Sequence, residues 1–305
     1  MNLKLAQLEA FVWVADLGSF RRAAERLSTT QPNISTRILA LEQLLDVTLM
    51  ERDAGSVRLT SKGQELLDHA RLVLRATETF MEASGQAALY EGVLKLGVTE
   101  MVVHTWLRDY LKLLKARFPN ILVELTVDLS ANLKEELFSR SIDLTFQSGP
   151  FERQTTGNES LGTYGWIWVA SPELVDLDIK NLRVEQLLKY PILTHARDTR
   201  PYEEVAAHFR QQRASRARLV PSSNLAACLH MTIDGMGIAA LPEAMVQTNI
   251  EAGQLTQIDY SWAPDDLVFL ARYDAERSPA FVSHAAKLAS ELADQYLSDR
   301  EAGTT

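Results

Sequence analysis

A single cysteine in 305 residues, Cys228, excludes an intrachain disulfide and any cysteine-cluster metal site. A lone thiol in such a chain serves packing and fits a reducing compartment. No run approaches about 18 uninterrupted apolar residues, so no membrane-spanning helix is expected. The opening residues, MNLKLAQLEAF, lack an apolar run followed by a small-residue cleavage site, and a cytoplasmic protein with no membrane contact is expected. Enzyme motifs are missing as well. The six histidines show no HExxH spacing, and neither a GxSxG elbow nor a GxxxxGK[ST] loop occurs. The stretch Gly235 to Ala240 has dinucleotide-fingerprint spacing, but it follows a helical pattern and opens a strand, the reverse of what that site needs. No catalytic set, metal or cofactor is expected.

Positive charge is also in short supply. Against 40 acidic residues stand 31 lysines and arginines, a net charge of -9, which argues against a protein that coats nucleic acid without regard to sequence. Residues 1–60 are neutral, with Lys4, Arg21, Arg22, Arg26, Arg37, Arg52 and Arg58 against seven acids, so the excess lies beyond them. A DNA contact made there must come from geometry that groups arginines on one face. What the chain has in plenty is core material, 46% hydrophobic residues, enough for two or three globular units.

Leu5, Leu8, Val12 and Ala15 recur at helical spacing before Gly18, which predicts a helix over about 3–17. Ser19 can cap a short second helix, Phe20 to Leu27, with Ala23, Ala24 and Leu27 inward and Arg21, Arg22 and Arg26 outside. Thr30 can cap a third, with Pro32 in its first turn and Ile34, Ile38, Leu41 and Leu45 as its buried stripe. So short a turn between two helices makes a helix-turn-helix. Extended pieces on either side of Asp53 to Ser56 predict a hairpin wing. Ser61 to Gln64 matches a capping box and opens a long helix to about residue 84, with Leu66, Val73 and Phe80 a heptad apart and Leu67, Leu74 and Met81 beside them. Such a stripe wants a partner helix. From Gly92 apolar strands alternate with helices, which predicts parallel sheets covered by helices: first VLKLGVT, ILVELTV and IDLTFQ, then TYGWIWVAS, PILTH, RLVPSS and GIAALP, and last LVFLARY with a terminal helix. Two α/β units suggest hinged subdomains around a cleft.

Residues 20–60 carry the most specific pattern, and the residues that make it, with its flanks, are Gly18, Ser19, Phe20, Ala23, Ala24, Leu27, Thr30, Gln31, Pro32, Ser35, Ile38, Leu41, Glu42, Leu49, Arg52, Leu59, Thr60 and Gly63. In these positions the chain resembles the LysR-type transcriptional regulators. It departs from that pattern at Asp46, where the family usually has glycine, at Met50, where phenylalanine is usual, and at Thr36-Arg37, where the arginine after the recognition-helix serine is displaced by one. The resemblance implies a winged helix-turn-helix over 1–60 and a linker dimerisation helix over 61–88. It further implies an effector region of two Rossmann-like α/β subdomains, like periplasmic binding proteins, over 89–162 with 267–305 and over 163–266. It implies a double-stranded DNA operator, a small-molecule effector, a homodimer assembling to a tetramer, and RNA polymerase as partners, with no enzyme activity.

On this reading Gln31 and Arg37 can reach base edges in the major groove. Thr30, Pro32, Ser35 and Thr36 complete the recognition surface, and Arg52 and Arg58 flank the wing as phosphate or minor-groove candidates. The dimer seam is expected at Leu66, Leu67, Val73, Leu74 and Phe80. In open α/β sheets ligands collect at the carboxyl ends of strands, where helix N-termini present free N–H groups. Those ends nominate Thr99, Glu100, Ser130, Gln147, Ser148, His195, Arg197, Ser222 and Asn224. Thr99, Ser130 and Ser222 suit helix capping equally well. Arg197 and Arg200 suit a carboxylate or phosphate ligand. Glu100 suits either a helix dipole or a ligand hydroxyl or amine, so the ligand's charge stays open. The rival reading is an enzyme or solute-binding module with a protein-binding N-terminal appendage.

Overall fold

A computed structural model describes residues 3–53, 56–83, 90–174, 182–212 and 217–303. The N-terminal unit contains α1 (Leu5–Leu17), α2 (Phe20–Arg26), α3 (Gln31–Leu45), β1 (Met50–Asp53), β2 (Ser56–Leu59) and α4 (Ser61–Ala83). Phe11 and Val14 bury one face of α1, and Gly18, at φ 62°, ends it with its N–H on the Val14 carbonyl at 2.9 Å. Ser19 Oγ accepts from the Arg22 N–H, and Thr30 Oγ1 from the Asn33 N–H, so both predicted caps form. Ile34, Ile38 and Leu41 seat α3 against α1 and α2. β1 and β2 pair antiparallel, Glu51 opposite Arg58; the tip, residues 54–55, and the side chain of Arg52 lie outside the described residues.

Four expectations for this unit are corrected, the first being Leu45, expected in the buried stripe of α3 but 39% exposed in its last turn. The cap of α4 is Thr60, whose Oγ1 accepts from the Gly63 N–H at 2.9 Å, and Ser61 is already helical. Leu67 is not free for a partner chain: only 4% exposed, it joins Ala70 in the core under α1 and α3, with Leu66 and Leu74 half-buried beside it. The core of so small a unit takes in one row of the long helix, and the stripe left outside is Leu72, Val73 and Phe80, exposed by 57%, 42% and 77%. Arg26 does not stay outside either. Its guanidinium lies 4.6 Å from the Trp13 ring and 2.8 Å from Asp143 of the second unit, with both charged side chains under 8% exposed.

The rest of the chain first forms β3 (Gly92–Val98), α5 (Glu100–Val103), α6 (Leu107–Arg117), β4 (Ile121–Val127), α7 (Ser130–Phe138), β5 (Leu144–Ser148) and β6 (Gly157–Tyr164). It continues through β7 (Trp166–Ala170), α8 (Val184–Leu187), β8 (Ile192–Thr194), α9 (Arg200–Gln211), β9 (Leu219–Pro221), α10 (Leu225–Ile233), β10 (Ile238–Pro242), α11 (Glu243–Glu251) and β11 (Thr256–Ile258). It closes with β12 (Leu267–Tyr273) and α12 (Ala280–Gly303). Among the described residues one sheet has the order β4-β3-β5-β12-β6 and another β11-β7-β10-β8-β9.

The sheets are mixed, not parallel throughout as the alternation suggested. β12 runs antiparallel to β5 and β6, and β7 antiparallel to β10 and β11. The stretch TYGWIWVAS is not one strand: it breaks at Gly165, and its two parts lie in different sheets. The chain crosses between the sheets there and again between β11 and β12. The pattern did not mark α11 or β11. The first sheet buries Leu94, Leu96, Val98, Leu144 and Phe146 under Trp106, Tyr110 and the alanine face of α12, where Ala285, Ala286, Ala289 and Ala293 let the helix approach closely. Trp106 Nε1 donates to Tyr164 Oη at 2.9 Å, and the Tyr110 hydroxyl to the Ala285 carbonyl at 3.1 Å, so these buried aromatics are satisfied. The parallel strands β3, β4 and β5 end at the face turned toward the second sheet.

Candidate DNA-reading surface and ligand cleft

The buried stripe of α3 leaves Gln31, Pro32 and Thr36 exposed, with Ser35 and Arg37 half-buried on its flanks. Thr36 Oγ1 donates back to the Pro32 carbonyl at 2.9 Å, which holds that hydroxyl along the helix. Arg58 is exposed on β2. Glu42 ties helix to wing: its Oε1 accepts from the N–H groups of Leu49, at 2.7 Å, and Met50, at 3.3 Å. The sequence contained Glu42 but no local cue to this role, because its partners lie across a turn.

The nine residues nominated from strand ends line one cavity of about 980 Å³ between the two sheets. Thr99, Glu100, Ser130, Gln147 and Ser148 come from the first sheet's side, and His195, Arg197, Ser222 and Asn224 from the second's. Lys134, Pro242, Leu267 and Phe269 also face it and were not foreseen. The signal for Leu267 was available: an antiparallel strand begins where its parallel neighbours end.

Their polar atoms divide into two groups. Ser130 and Ser148 hydroxyls face each other at 3.1 Å, and Ser130 Oγ also accepts from the Ser148 N–H. Ser222 Oγ donates to the Asn224 carbonyl at 2.9 Å. Asn224 caps α10, its Oδ1 accepting from the Ala227 N–H at 2.6 Å. Arg197 donates to the Tyr202 hydroxyl, at 3.3 Å, and Arg200 is held by Glu204 and the Asp265 and Asp266 carbonyls. By contrast Thr99 Oγ1, Gln147 Oε1 and His195 Nε2 are buried atoms without a protein partner. Thr99 is therefore no side-chain cap, although it precedes α5. Burial also pushes the His195 imidazole down to about 4, so it is neutral near pH 7. Its ring sits edge-on to Trp166, 5.0 Å between centroids.

Glu100 caps a helix other than its own. Its carboxylate accepts from Asn224 Nδ2 at 2.7 Å, from the Leu225 N–H, and from the Ala226 N–H at 3.4 Å, joining the start of α5 to the start of α10 across the cavity. Among the described residues no group of three or more His, Cys, Asp or Glu is placed to hold a metal, and no helix is long and apolar enough to cross a membrane.

A helix-turn-helix with an exposed recognition helix, joined to two α/β sheets around a cleft, defines a DNA-binding regulator with a small-molecule domain. Residues 5–64 match the bacterial regulatory helix-turn-helix protein of the lysR family, and residues 87–292 match the LysR substrate binding domain. The chain belongs to the LysR family of DNA-binding transcriptional regulators, and its N-terminal unit is a DNA-reading one, not the protein-binding appendage of the rival reading. It is 24% identical to the transcriptional regulator YofA of Bacillus subtilis over 92% of this chain and 96% of YofA. To AlsR of Bacillus subtilis it is 29% identical over 65% of this chain and 66% of AlsR. A full-length OxyR variant from Pseudomonas aeruginosa shares the fold with a TM-score of 0.60, at 21% identity, over 96% of this chain and 95% of that one.

Proposed function

We propose that the cavity between the sheets is the effector site, and that a ligand held there changes how paired recognition helices meet an operator. One observation carries this reading: buried, unpartnered Thr99 Oγ1, Gln147 Oε1 and His195 Nε2 all line a single cavity fed from both sheets. A ligand touching both sides has a different affinity for each closure angle, and that difference is the coupling free energy. The two crossings between the sheets are the hinge. DNA is read by Gln31, Ser35, Thr36 and Arg37 on α3, with Thr30 and Pro32 setting the start of the helix and Arg52 and Arg58 on the wing.

The unit that acts is an assembly of identical chains in the cytoplasm, contacting RNA polymerase and performing no catalysis. Two separate apolar surfaces support a dimer of dimers. One is the Leu72, Val73 and Phe80 stripe of α4; the other is edge strand β4, where Leu122, Leu125 and Val127 are 66%, 43% and 47% exposed.

Thermal shift against a metabolite collection, followed by operator titration by fluorescence anisotropy, tests the reading. A true effector at about 100 times its Kd stabilises the chain by about 2.7 kcal/mol. Gln147→Leu and Thr99→Val are expected to weaken it by about 1–3 kcal/mol each while ligand-free DNA binding stays intact. In the same assay Gln31→Ala relaxes sequence preference at a cost of about 1–3 kcal/mol, whereas Arg58→Ala weakens all sequences alike and flattens the salt dependence. An effector that binds both cleft variants as tightly as the parent chain sinks the assignment.

A further inference from the structure

The start of α10 is an anion-binding position that opens on the cavity, and it is already filled. Helix N-termini present free N–H groups and a positive dipole end, so they attract carboxylates and phosphates. In α10 the Leu225 and Ala226 N–H groups go to the Glu100 carboxylate, and the Ala227 N–H goes to Asn224 Oδ1. The remaining amide of Asn224, Nδ2, also donates to Glu100, at 2.7 Å. Of the other long helices that open on the cavity, α9 is served in the same way, Thr199 Oγ1 accepting from the Tyr202 N–H, whereas α7 has no side-chain cap: Asp128 Oδ1 accepts from the N–H of Leu129, the residue before the helix.

Two of the three cations around the cavity are paired with acids, while Arg197 donates to the neutral Tyr202 hydroxyl. Lys134 lies 3.5 Å from Glu152, and Arg200 lies 3.4 Å from Glu204. Along the lining, Glu100, Asp128, Glu152 and Asp198 outnumber Lys134, Arg197 and Arg200 by four to three. Apart from Arg200 Nε, what remains unpartnered is uncharged: the Thr99 hydroxyl, Gln147 Oε1 at 2% residue exposure, and the neutral His195 ring. An amide oxygen accepts only, so Gln147 Oε1 asks for an N–H or O–H from whatever enters.

We propose that Glu100 is a built-in anion: it occupies the anion-binding end of α10, ties the two sheets across the cleft, and excludes carboxylate ligands from that position. The cleft of this chain therefore selects molecules that bring hydrogen-bond donors and no negative charge to α10. This specificity assignment rests on the reading of the cavity as the effector site.

Chemical rescue tests it. Glu100→Ala opens a carboxylate-sized gap in front of the Leu225 and Ala226 N–H groups, and acetate is the probe that fits it. Melting temperature is followed in the full-length chain with increasing sodium acetate, against sodium chloride at equal ionic strength. The variant is expected to melt several degrees below the parent and to recover most of that loss with acetate, while the parent responds to acetate no more than to chloride. Glu100→Ser, which suits the first turn of a helix, is run beside it so that a folding defect in one variant leaves the other to read. Equal acetate stabilisation of parent and variants overturns the proposal, because the anion position is then open despite Glu100. No acetate response in a folded variant overturns it as well, because α10 then holds no anion site. Failure of the underlying reading shows separately: acetate rescues stability, but operator affinity and footprint are the same in parent and variant, with and without acetate.

Discussion

At the scale of single residues, the side chains that matter in the cleft are those with nothing to do in the protein itself. Thr99 and Ser222 looked alike in the sequence, as polar residues after strands. In the fold the Ser222 hydroxyl is spent on the Asn224 carbonyl, while Thr99 Oγ1 has no partner. Ser222→Ala is therefore expected to affect ligand affinity less than Thr99→Val, which calorimetry on a confirmed effector measures. His195 links the cleft to pH. Its ordinary value is 6.5, and burial lowers it to about 4 in the folded chain. Between these values the unfolded chain binds a proton that the folded chain refuses, so stability is full above 6.5 and is lost as pH falls toward 4. His195→Gln removes this contribution, and its melting temperature should fall less steeply than the parent's on acidification from about pH 7 to about pH 4.5. Parallel curves would show that His195 does not carry the dependence.

At the scale of elements, the end of α3 shows why glycine is usual at position 46 of the pattern. Asp46 sits in the left-handed region, φ 53° and ψ 44°, with its N–H on the Glu42 carbonyl. A side chain there costs about 1 kcal/mol relative to glycine, so Asp46→Gly should raise stability by about 0.5–1 kcal/mol, read from urea midpoints. The opposite holds at Gly63, where an added Cβ would stand 2.1 Å from the Leu49 carbonyl oxygen, on backbone that cannot move aside. The long helix α4 has two faces with different fates. Leu67→Arg puts a charge into the core under α1 and is expected to unfold the DNA-reading unit, whereas Leu72→Arg with Phe80→Arg leaves the chain folded and splits the assembly. Circular dichroism and light scattering separate the two outcomes. Folded monomers from the Leu67 variant would show that the core row has been misread.

At the scale of the whole molecule, the DNA-reading unit is bound to the first sheet by charges from distant parts of the sequence. Arg26 meets Asp143 at 2.8 Å, Asp16 lies between Arg71 and Arg140, and Arg22 donates to the Ser139 carbonyl at 2.9 Å. Burial pushes the Asp143 carboxyl up, the Arg26 guanidinium beside it pulls it down, and the backbone N–H of Lys95 adds a hydrogen bond at 3.0 Å. Removing one member leaves the other buried and unpaired, at a cost of about 3–5 kcal/mol. The loss in the double variant, Arg26→Ala with Asp143→Ala, should therefore be smaller than the sum of the two single losses, and a double-mutant cycle measures that coupling. The variants are also expected to unfold in two steps, DNA-reading unit first. A single transition in all of them would show that these pairs do not join the units.

Sequence alone determined whatever depends on neighbours along the chain. The helical stripe of Ile34, Ile38 and Leu41, the caps at Ser19 and Thr30, the stop at Gly18 and the apolar strands are local matters of period and hydrogen bonding, and so they were legible. The strand-end rule also collected the cleft residues, because a parallel strand points its carboxyl end one way whatever follows. Tertiary structure decided the rest. It alone set which row of α4 is core, that TYGWIWVAS divides between two sheets, and that Arg26 is buried against Asp143. It alone placed the Glu100 carboxylate on a helix that begins 125 residues later in the chain. Each of these is a pairing of groups far apart in sequence, and the free energy of such a pairing exists only once the chain has closed the loop between them.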